Sequence, residues 1–416
     1  METHLADWIR NTPHGAEADA ILRSCVHCGF CTATCPTYQL LGDELDGPRG
    51  RIYQIKQVLE GAPATRSAQR HLDSCLTCLG CETVCPSGVR FGRLVEIGRH
   101  VVDARVKRPP LERLYRGALH AVLTRPALFA SLLRVGRAVA PFMPARLRSR
   151  LPPARPAGSS PAGSHARKVL LLRSCTQDAL LPSIDRATAR VLDTLGVETI
   201  VEPRSGCCGA LHEHLGDPAG ADLAARRNVD AWWPALEQGV EAIVMTASGC
   251  GARVKQYGLL LAHDPAYAER SLQVSARTMD LAEWLGPALA GRAPPPLPAA
   301  HRRVAFHPPC TLQHGQQIRG RVEAVLTALG AELGPVRDPH LCCGSAGPYS
   351  LMQPKISGEL RTAKLASLTA AGPDMILSAN IGCIAHLATG TRLPVRHWIE
   401  WVDERLGGGA AQAPPR

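Results

Sequence analysis

Eight of the sixteen cysteines fall into two runs of identical spacing, Cys25-x2-Cys28-x2-Cys31-x3-Cys35-Pro36 and Cys75-x2-Cys78-x2-Cys81-x3-Cys85-Pro86. Three thiolates spaced three residues apart in a loop can reach three irons of one cubane, while the fourth, entering the following element, points away to another. The expected sets are Cys25, Cys28, Cys31 and Cys85 for one [4Fe-4S] cluster, and Cys75, Cys78, Cys81 and Cys35 for a second. Structural zinc would use four sulfurs in paired C-x2-C steps and leaves the third cysteine and the repeated x3-C-P unexplained. Disulfides inside such runs would be out of place in a cytoplasmic chain. Pro36 and Pro86 steer the chain after each run.

The remaining eight cysteines form an internal repeat. Cys175 is followed 32 residues later by Cys207-Cys208-Gly209 and then by Cys250; Cys310 is followed 32 residues later by Cys342-Cys343-Gly344 and then by Cys383. Coincidence does not shift every landmark by nearly one interval, so the segment is duplicated. Each half offers four sulfurs, Cys175, Cys207, Cys208 and Cys250 or Cys310, Cys342, Cys343 and Cys383, as a candidate metal or redox site. Buried, inert thiols are the alternative, since cysteine packs as a small hydrophobe.

The elements that position these residues repeat as well. Val169 to Leu172 and Val304 to Phe306 read as strands ending just before a cysteine, followed by helical periodicity in Ile184 to Leu195 and Val322 to Leu329 with Gly196 and Gly330 as C-caps. Val197 to Val201 and the less regular Ala331 to Val336 lead toward the Cys-Cys-Gly turns, and Ala242 to Thr246 or Met375 to Ser378 precedes the last cysteine. Each repeat therefore reads as βαβ followed by αβ, with a mostly parallel sheet and its cysteines beyond the carboxyl ends of strands. Between the two N-terminal runs, Arg51 to Glu60 reads as helix.

The N-terminal runs reproduce the bacterial ferredoxin pattern, but the gap between them suits an α-helical ferredoxin domain of the kind that docks to a flavoprotein. Behind it, the order Cys, Cys-Cys-Gly, Cys, twice over, resembles the cysteine-rich (CCG) family of heterodisulfide reductase and its relatives. Within that family the chain is most similar to the iron-sulfur subunits of glycolate oxidase. The closer likeness is carried by Cys25-Val-His-Cys-Gly-Phe-Cys-Thr-Ala-Thr-Cys-Pro36, Gly42-Asp-Glu-Leu-Asp-Gly-Pro-Arg-Gly-Arg-Ile52, Thr246-Ala-Ser-Gly-Cys-Gly251, Leu341-Cys-Cys-Gly-Ser-Ala-Gly347 and Asn380-Ile-Gly-Cys383. The resemblance implies a carrier: electrons leave the α-carbon of glycolate, giving glyoxylate, on FAD held by partner flavoprotein subunits, and pass through this chain toward a quinone. One departure is visible. The heterodisulfide reductase pattern ends in C-x2-C, whereas Cys250 and Cys383 have no cysteine partner at plus three, so each repeat has four cysteines rather than five.

Composition bounds the rest. A chain of 416 residues exceeds one core, so its cysteines are not needed as staples. No secretory signal opens the sequence, and its richest apolar run, Leu119 to Leu133, is broken by Arg125 and Pro126, so a cytoplasmic address is expected, with peripheral contact to the membrane's inner face as an option. The net charge of +11 is concentrated between Arg105 and Arg150; an anionic membrane face would suit it, and so would helices packed on the ferredoxin domain with their arginines solvated. Few aromatics and no recognisable element argue against nucleic acid. No G-x-G-x-x-G sits between a strand and a helix, so no flavin or nicotinamide site is expected here, and no residue of this chain is expected to be catalytic.

The resulting expectation is α+β overall: residues 1–110 an α-helical ferredoxin domain with two [4Fe-4S] clusters, 111–167 a basic helical segment and Pro-rich linker, 168–285 the first CCG α/β repeat, 286–301 a Pro-rich linker, 302–405 the second repeat, and 406–416 a disordered tail. The rivals are the equivalent subunit of a glycerol-3-phosphate or lactate dehydrogenase, and a heterodisulfide or thiol reductase using the repeats themselves. Among weaker signals, His212, His214, His307, His314 and His340 lie near the repeat cysteines as candidate ligands or ordinary polar neighbours. Asp43, Glu44, Asp46, Arg49 and Arg51 read either as a docking or cluster-organising loop or as a solvated charged one.

Overall fold

The computed structural model describes residues 1–144, 155–161, 163–172, 174–289 and 302–407. Much of the first linker, most of the second and the tail after residue 407 lie outside the described residues.

The N-terminal region is helical. Helices Pro13–Ser24, Pro48–Leu59, Arg66–Asp73 and Phe91–Arg105 converge on one apolar core built from Leu22, Ile55, Leu59, Leu72, Leu94 and Val102 among others. Their starts are written locally: Thr12 and Thr65 accept from the N–H groups of Gly15 and Ala68, and Pro13 and Pro48 stand where no backbone donor is required.

Each repeat folds as a four-stranded parallel sheet. In the first, β1 (Arg167–Leu171), β2 (Val197–Val201), β3 (Ile243–Met245) and β4 (Thr278–Asp280) lie in the order β2-β1-β3-β4. In the second, β5 (Arg303–His307), β6 (Glu332–Leu333), β7 (Met375–Ser378) and β8 (Val395–His397) lie in the order β6-β5-β7-β8. The expected parallel sheets are present, and every pairing is parallel. The expectation of three strands per repeat is corrected to four. The missed strands, β4 and β8, are three residues of mixed polarity without the apolar run that marks the equally short β3, and each runs straight into a capped helix. Gly196 and Gly330 do take left-handed conformations after their helices, with φ of 73° and 90°.

One apolar core runs through both repeats, with Trp398 and Trp401 buried in it. Polar links cross the same boundary: Arg190 pairs with Asp403 at 2.6 Å, Ser183 bonds Glu400 at 2.7 Å, and the Ser248 N–H donates to the Ala379 carbonyl at 3.1 Å.

In the basic helices Pro110–Leu123 and Pro126–Val139 the arginines divide: Arg113, Arg125 and Arg134 are exposed, whereas Arg116 turns inward, and the packing reaches beyond the ferredoxin domain. The first helix touches all three regions, through Arg116 to Asp73, His120 to Asp217 at 2.9 Å, and Tyr115 to the Leu351 carbonyl at 3.1 Å. Arg108, just before it, is nearly buried against Asp73, Asp103 and Glu112, whereas Leu111, Leu114 and Phe142 are 78%, 71% and 90% exposed. Half-buried carboxylates hold the guanidiniums inward more strongly than a shallow surface can hold leucine. Among the described residues no single helix is long and apolar enough to cross a membrane.

Candidate iron-sulfur sites

The two N-terminal cysteine runs adopt the same loop. His27 and Gly29 in the first, and Thr77 and Leu79 in the second, have φ of 56°, 85°, 50° and 61°, so matching positions share left-handed backbone. Such conformations are costly outside glycine and persist where the surroundings enforce them. The turns aim backbone donors at sulfur: Thr77 N–H at Cys75 Sγ and, after the second run, Val89 N–H at Cys85 Sγ, each at 3.4 Å.

Cys25, Cys28, Cys31 and Cys85 line one pocket of about 440 Å³, walled by Pro48, Ile52, Val89 and Phe91. Cys35, Cys75, Cys78 and Cys81 line a second of about 310 Å³, and Cys81 reaches the wall of both. Each pocket thus gathers three sulfurs of one run and the last of the other. All sixteen cysteines are free thiols. Burial, then the nearby Cys25, pushes the Cys31 thiol up to about 11, and burial drives Cys78 and Cys81 up as well. Crowded, desolvated thiols that resist ionising together are suited by positive charge placed between them, and the donor set therefore fits an iron-sulfur cluster.

The charged segment from Asp43 to Arg51 is not a solvated loop throughout. Arg51 is 1% exposed; its guanidinium donates to the His71 carbonyl at 2.7 Å, Ser74 Oγ at 2.8 Å, Thr37 Oγ1 at 3.2 Å and Asp46 at 3.2 Å. The Asp46 carbonyl in turn accepts from Thr37 at 2.8 Å and faces Cys35 Sγ at 3.8 Å. Arg51 therefore ties the end of the first run to the residue before Cys75. Arg49 stays nearer the surface, paired with Glu44 at 2.6 Å beside the first pocket.

In the repeats, the sulfurs gather beyond the strand ends as expected. Cys207 accepts from Cys175 and Cys208, which holds its thiol well below the ordinary range, while Cys175 and Cys208 are driven up; Cys208 also meets Cys250. In the second repeat hydrogen bonds link Cys310 to Cys342, Cys342 to Cys343 and Cys343 to Cys383. The glycine of each Cys-Cys-Gly has φ of 90°, and a Cβ on Gly344 would stand 2.7 Å from the Ser357 carbonyl. That close approach tucks the cysteine pair beneath the next helix.

Tertiary structure places the second repeat against the ferredoxin domain. Cys78 and Leu76 pack in one cluster with Cys310, Cys342, Tyr349 and Leu360. Tyr349 donates to the Ser74 carbonyl at 3.0 Å, Arg99 donates to the Cys75 carbonyl at 2.6 Å, and Thr83 meets His314 Nδ1 at 2.9 Å. Buried Lys364, bonded to the Asp338 carbonyl at 2.8 Å, brings positive charge toward Cys310, Cys342 and Cys343. Sequence reading missed Tyr349, whose contact crosses domains, and Arg99 and Lys364, whose partners lie in their own domains but more than twenty residues away, because no local pattern marks contacts of that range.

The flagged histidines separate. His212 is bonded to Asp217 at 2.8 Å, and His314 spans Thr83 and the His340 carbonyl, so both have ordinary partners. Burial, with Arg99 and Arg253 nearby, lowers His214 to about 4, and His340 is lowered by burial too. Two of the flagged histidines stand in groups with ligand-like spacing, His212 with His120 and Asp217, where hydrogen bonds already join the three, and His307 with Cys343 and Cys383.

Comparison with known proteins places these features. Residues 21–89 match the 4Fe-4S dicluster domain, and residues 169–255 and 304–388 each match the cysteine-rich (CCG) domain. The glycolate oxidase iron-sulfur subunit of Escherichia coli is 52% identical over 98% of this chain and 99% of its own. A probable glycolate oxidase iron-sulfur subunit of Bacillus subtilis is 29% identical over 89% of each chain, and lactate utilization protein A of Shouchella clausii is 24% identical over 57% of this one. A crystal structure of a hypothetical protein from Helicobacter pylori shares the fold, with a TM-score of 0.56 at 10% identity, covering 96% of this chain and 74% of that one. A ferredoxin-type dicluster region, two CCG repeats and majority identity along the whole length lead to one conclusion: the chain belongs to the family of glycolate oxidase iron-sulfur subunits.

Proposed function

We propose that this chain is the electron-transferring subunit of a flavin-dependent complex that oxidises glycolate to glyoxylate. The supporting observation is the run of sulfur sites, from the pocket of Cys25, Cys28, Cys31 and Cys85, through that of Cys35, Cys75, Cys78 and Cys81, to Cys310 and Cys342 packed against Cys78. On this reading each ferredoxin pocket holds one [4Fe-4S] cluster by its four cysteines, and the four-sulfur sets of the repeats are further sites, the second in line with the path. A bound cluster takes up and gives back single electrons. The chain's part is to hold the thiolates, to aim N–H groups at Cys75 and Cys85, and to keep water from the pockets with Ile52, Phe91 and Leu79.

FAD belongs to the partner flavoprotein subunits, and a quinone-type acceptor lies beyond this chain. The lactate and glycerol-3-phosphate rivals are disfavoured by the extent and identity of the glycolate oxidase match, and a thiol reductase by the missing fifth cysteines. The address is cytoplasmic, and the exposed Leu111, Leu114, Leu128, Leu132 and Phe142, with Arg113, Arg125 and Arg134 beside them, favour peripheral contact with an anionic bilayer.

The test is iron and acid-labile sulfide per chain, with EPR after glycolate reduction, on protein purified anaerobically with its flavoprotein. About eight irons confine clusters to the ferredoxin domain, and about twelve to sixteen extend them into the repeats. Fewer than about four, with zinc in their place, sinks the electron-transfer reading.

A further inference from the structure

β5 ends at His307, three residues before Cys310, and the ring is fully buried. Neither Nδ1 nor Nε2 has a hydrogen-bond partner among the described residues. Desolvating an imidazole with both nitrogens unpaired is unfavourable unless something else engages one of them. A ring nitrogen of His307, Cys343 Sγ and Cys383 Sγ all lie within 4.8 Å of one another. The ring's backbone is fixed, since His307 pairs with Ser378 across β5 and β7 and its carbonyl accepts from Ser378 Oγ at 3.0 Å. A donor on a strand end, with no competing partner, aimed at two buried sulfurs, is built as a ligand.

A second histidine lies near the same sulfurs in sequence. His386 occupies plus three from Cys383, but its Nε2 faces Ser357 Oγ at 3.1 Å and the Ser357 carbonyl at 3.3 Å. The first repeat has neither donor: Arg253 stands at plus three from Cys250 and pairs with Glu213 at 3.3 Å, and Leu172 takes the place of His307.

We propose that His307 is a nitrogen ligand to an iron of the centre in the second repeat, joining Cys343 and Cys383 with Cys310 and Cys342 beside them. This rests on the reading that the second repeat carries an iron-sulfur centre. A neutral imidazole where the five-cysteine pattern has a fifth thiolate leaves the site one negative charge poorer than that pattern's, which raises its reduction potential relative to a five-thiolate site. The centre packed against Cys78 would then draw electrons out of the ferredoxin domain, while the first repeat, with Leu172 in the corresponding place, has no such fifth ligand.

The experiment uses the full chain, purified anaerobically with its partners from cells fed histidine labelled with ¹⁵N in the imidazole, with pulsed EPR in oxidised and reduced states and iron counted on the same samples. The expected result is iron above the complement of about eight, together with one strongly coupled nitrogen that changes with the label. In His307→Leu, which installs the first repeat's residue, that coupling vanishes and the ferredoxin signals remain. His307→Cys keeps the extra iron without the coupling. Extra iron with no label-dependent coupling, coupling that survives His307→Leu but is lost in His386→Gln, or zinc in the second repeat overturns the proposal. Iron of only about eight shows instead that the repeat holds no centre, so the underlying reading fails with it and the count alone reveals this.

Discussion

The Tyr349 hydroxyl donates at 3.0 Å to the carbonyl of Ser74, one residue ahead of Cys75. Through this bond the second CCG repeat holds the loop that carries three sulfurs of the second ferredoxin pocket. Ser74 also donates to Asp46, which pairs with Arg51, so the grip extends back to the end of the first run.

Tyr349→Phe keeps the ring's packing and removes the donor, leaving a buried carbonyl unpaired. The expected cost is about 1 to 2 kcal/mol in chemical denaturation. Transfer between the second cluster and the repeat should slow, measured by rapid-freeze EPR, while iron content stays at the wild-type level. An unchanged denaturation midpoint would show that the contact is dispensable.

Crossed ligation makes a specific demand. Cys35→Ala is expected to abolish the cluster of Cys75, Cys78 and Cys81 and leave the other intact, and Cys85→Ala to do the reverse, each losing about four irons. If each variant instead loses the cluster of its own run, the crossed assignment is wrong.

Arg51→Met leaves Asp46 as a buried carboxylate without its guanidinium. A loss of about 3 kcal/mol is expected, and Arg51→Lys should recover little, because one ammonium cannot reach Ser74, Thr37, Asp46 and the His71 carbonyl together. Thermal unfolding of the two variants, followed by visible absorbance of the clusters, measures both effects.

His397 gives the stability a pH dependence. Its Nδ1 accepts from the Ile399 N–H at 3.2 Å as a helix cap, and its Nε2 donates to the Thr246 carbonyl of the first repeat at 2.8 Å. Burial lowers it from 6.5 to about 4, against the opposing pull of Glu400 and the Thr246 carbonyl. Above pH 6.5 the ring is neutral whether the chain is folded or not, and its contribution is complete. Between pH 6.5 and about 4 the unfolded chain takes up a proton that the folded one refuses, so stability falls, by about 3 kcal/mol at most. His397→Asn should be less stable at neutral pH and show a shallower acid slope in denaturant titrations. An unchanged slope would place the acid sensitivity elsewhere.

Much of this protein was legible before its fold was known, because its chemistry is written in short-range spacing. Cysteines three residues apart must share a loop, so the two runs, their fourth members and the prolines after them carry the cluster reading directly. The duplicated Cys, Cys-Cys-Gly, Cys order likewise reveals two equivalent α/β units, since a parallel sheet places such residues at its carboxyl edge whatever surrounds it. The strands β4 and β8 escaped notice because Thr278–Asp280 and Val395–His397 lack the apolar run that gives away β3 at the same length.

What neighbours each unit was decided only in three dimensions. Arg51 stands between two readings, organising loop or solvated one, until Ser74, Thr37 and the His71 carbonyl close round it, and only packing shows that Arg108 and Arg116 rather than Leu111 take the inward side. The packing of Cys78 on Cys310 joins residues more than two hundred positions apart, and no local pattern encodes a contact of that range. His307 and His314 look alike on paper, both flagged only as lying near the repeat cysteines. Their difference lies in which nitrogen already has a partner, and partners are a property of packing rather than of sequence.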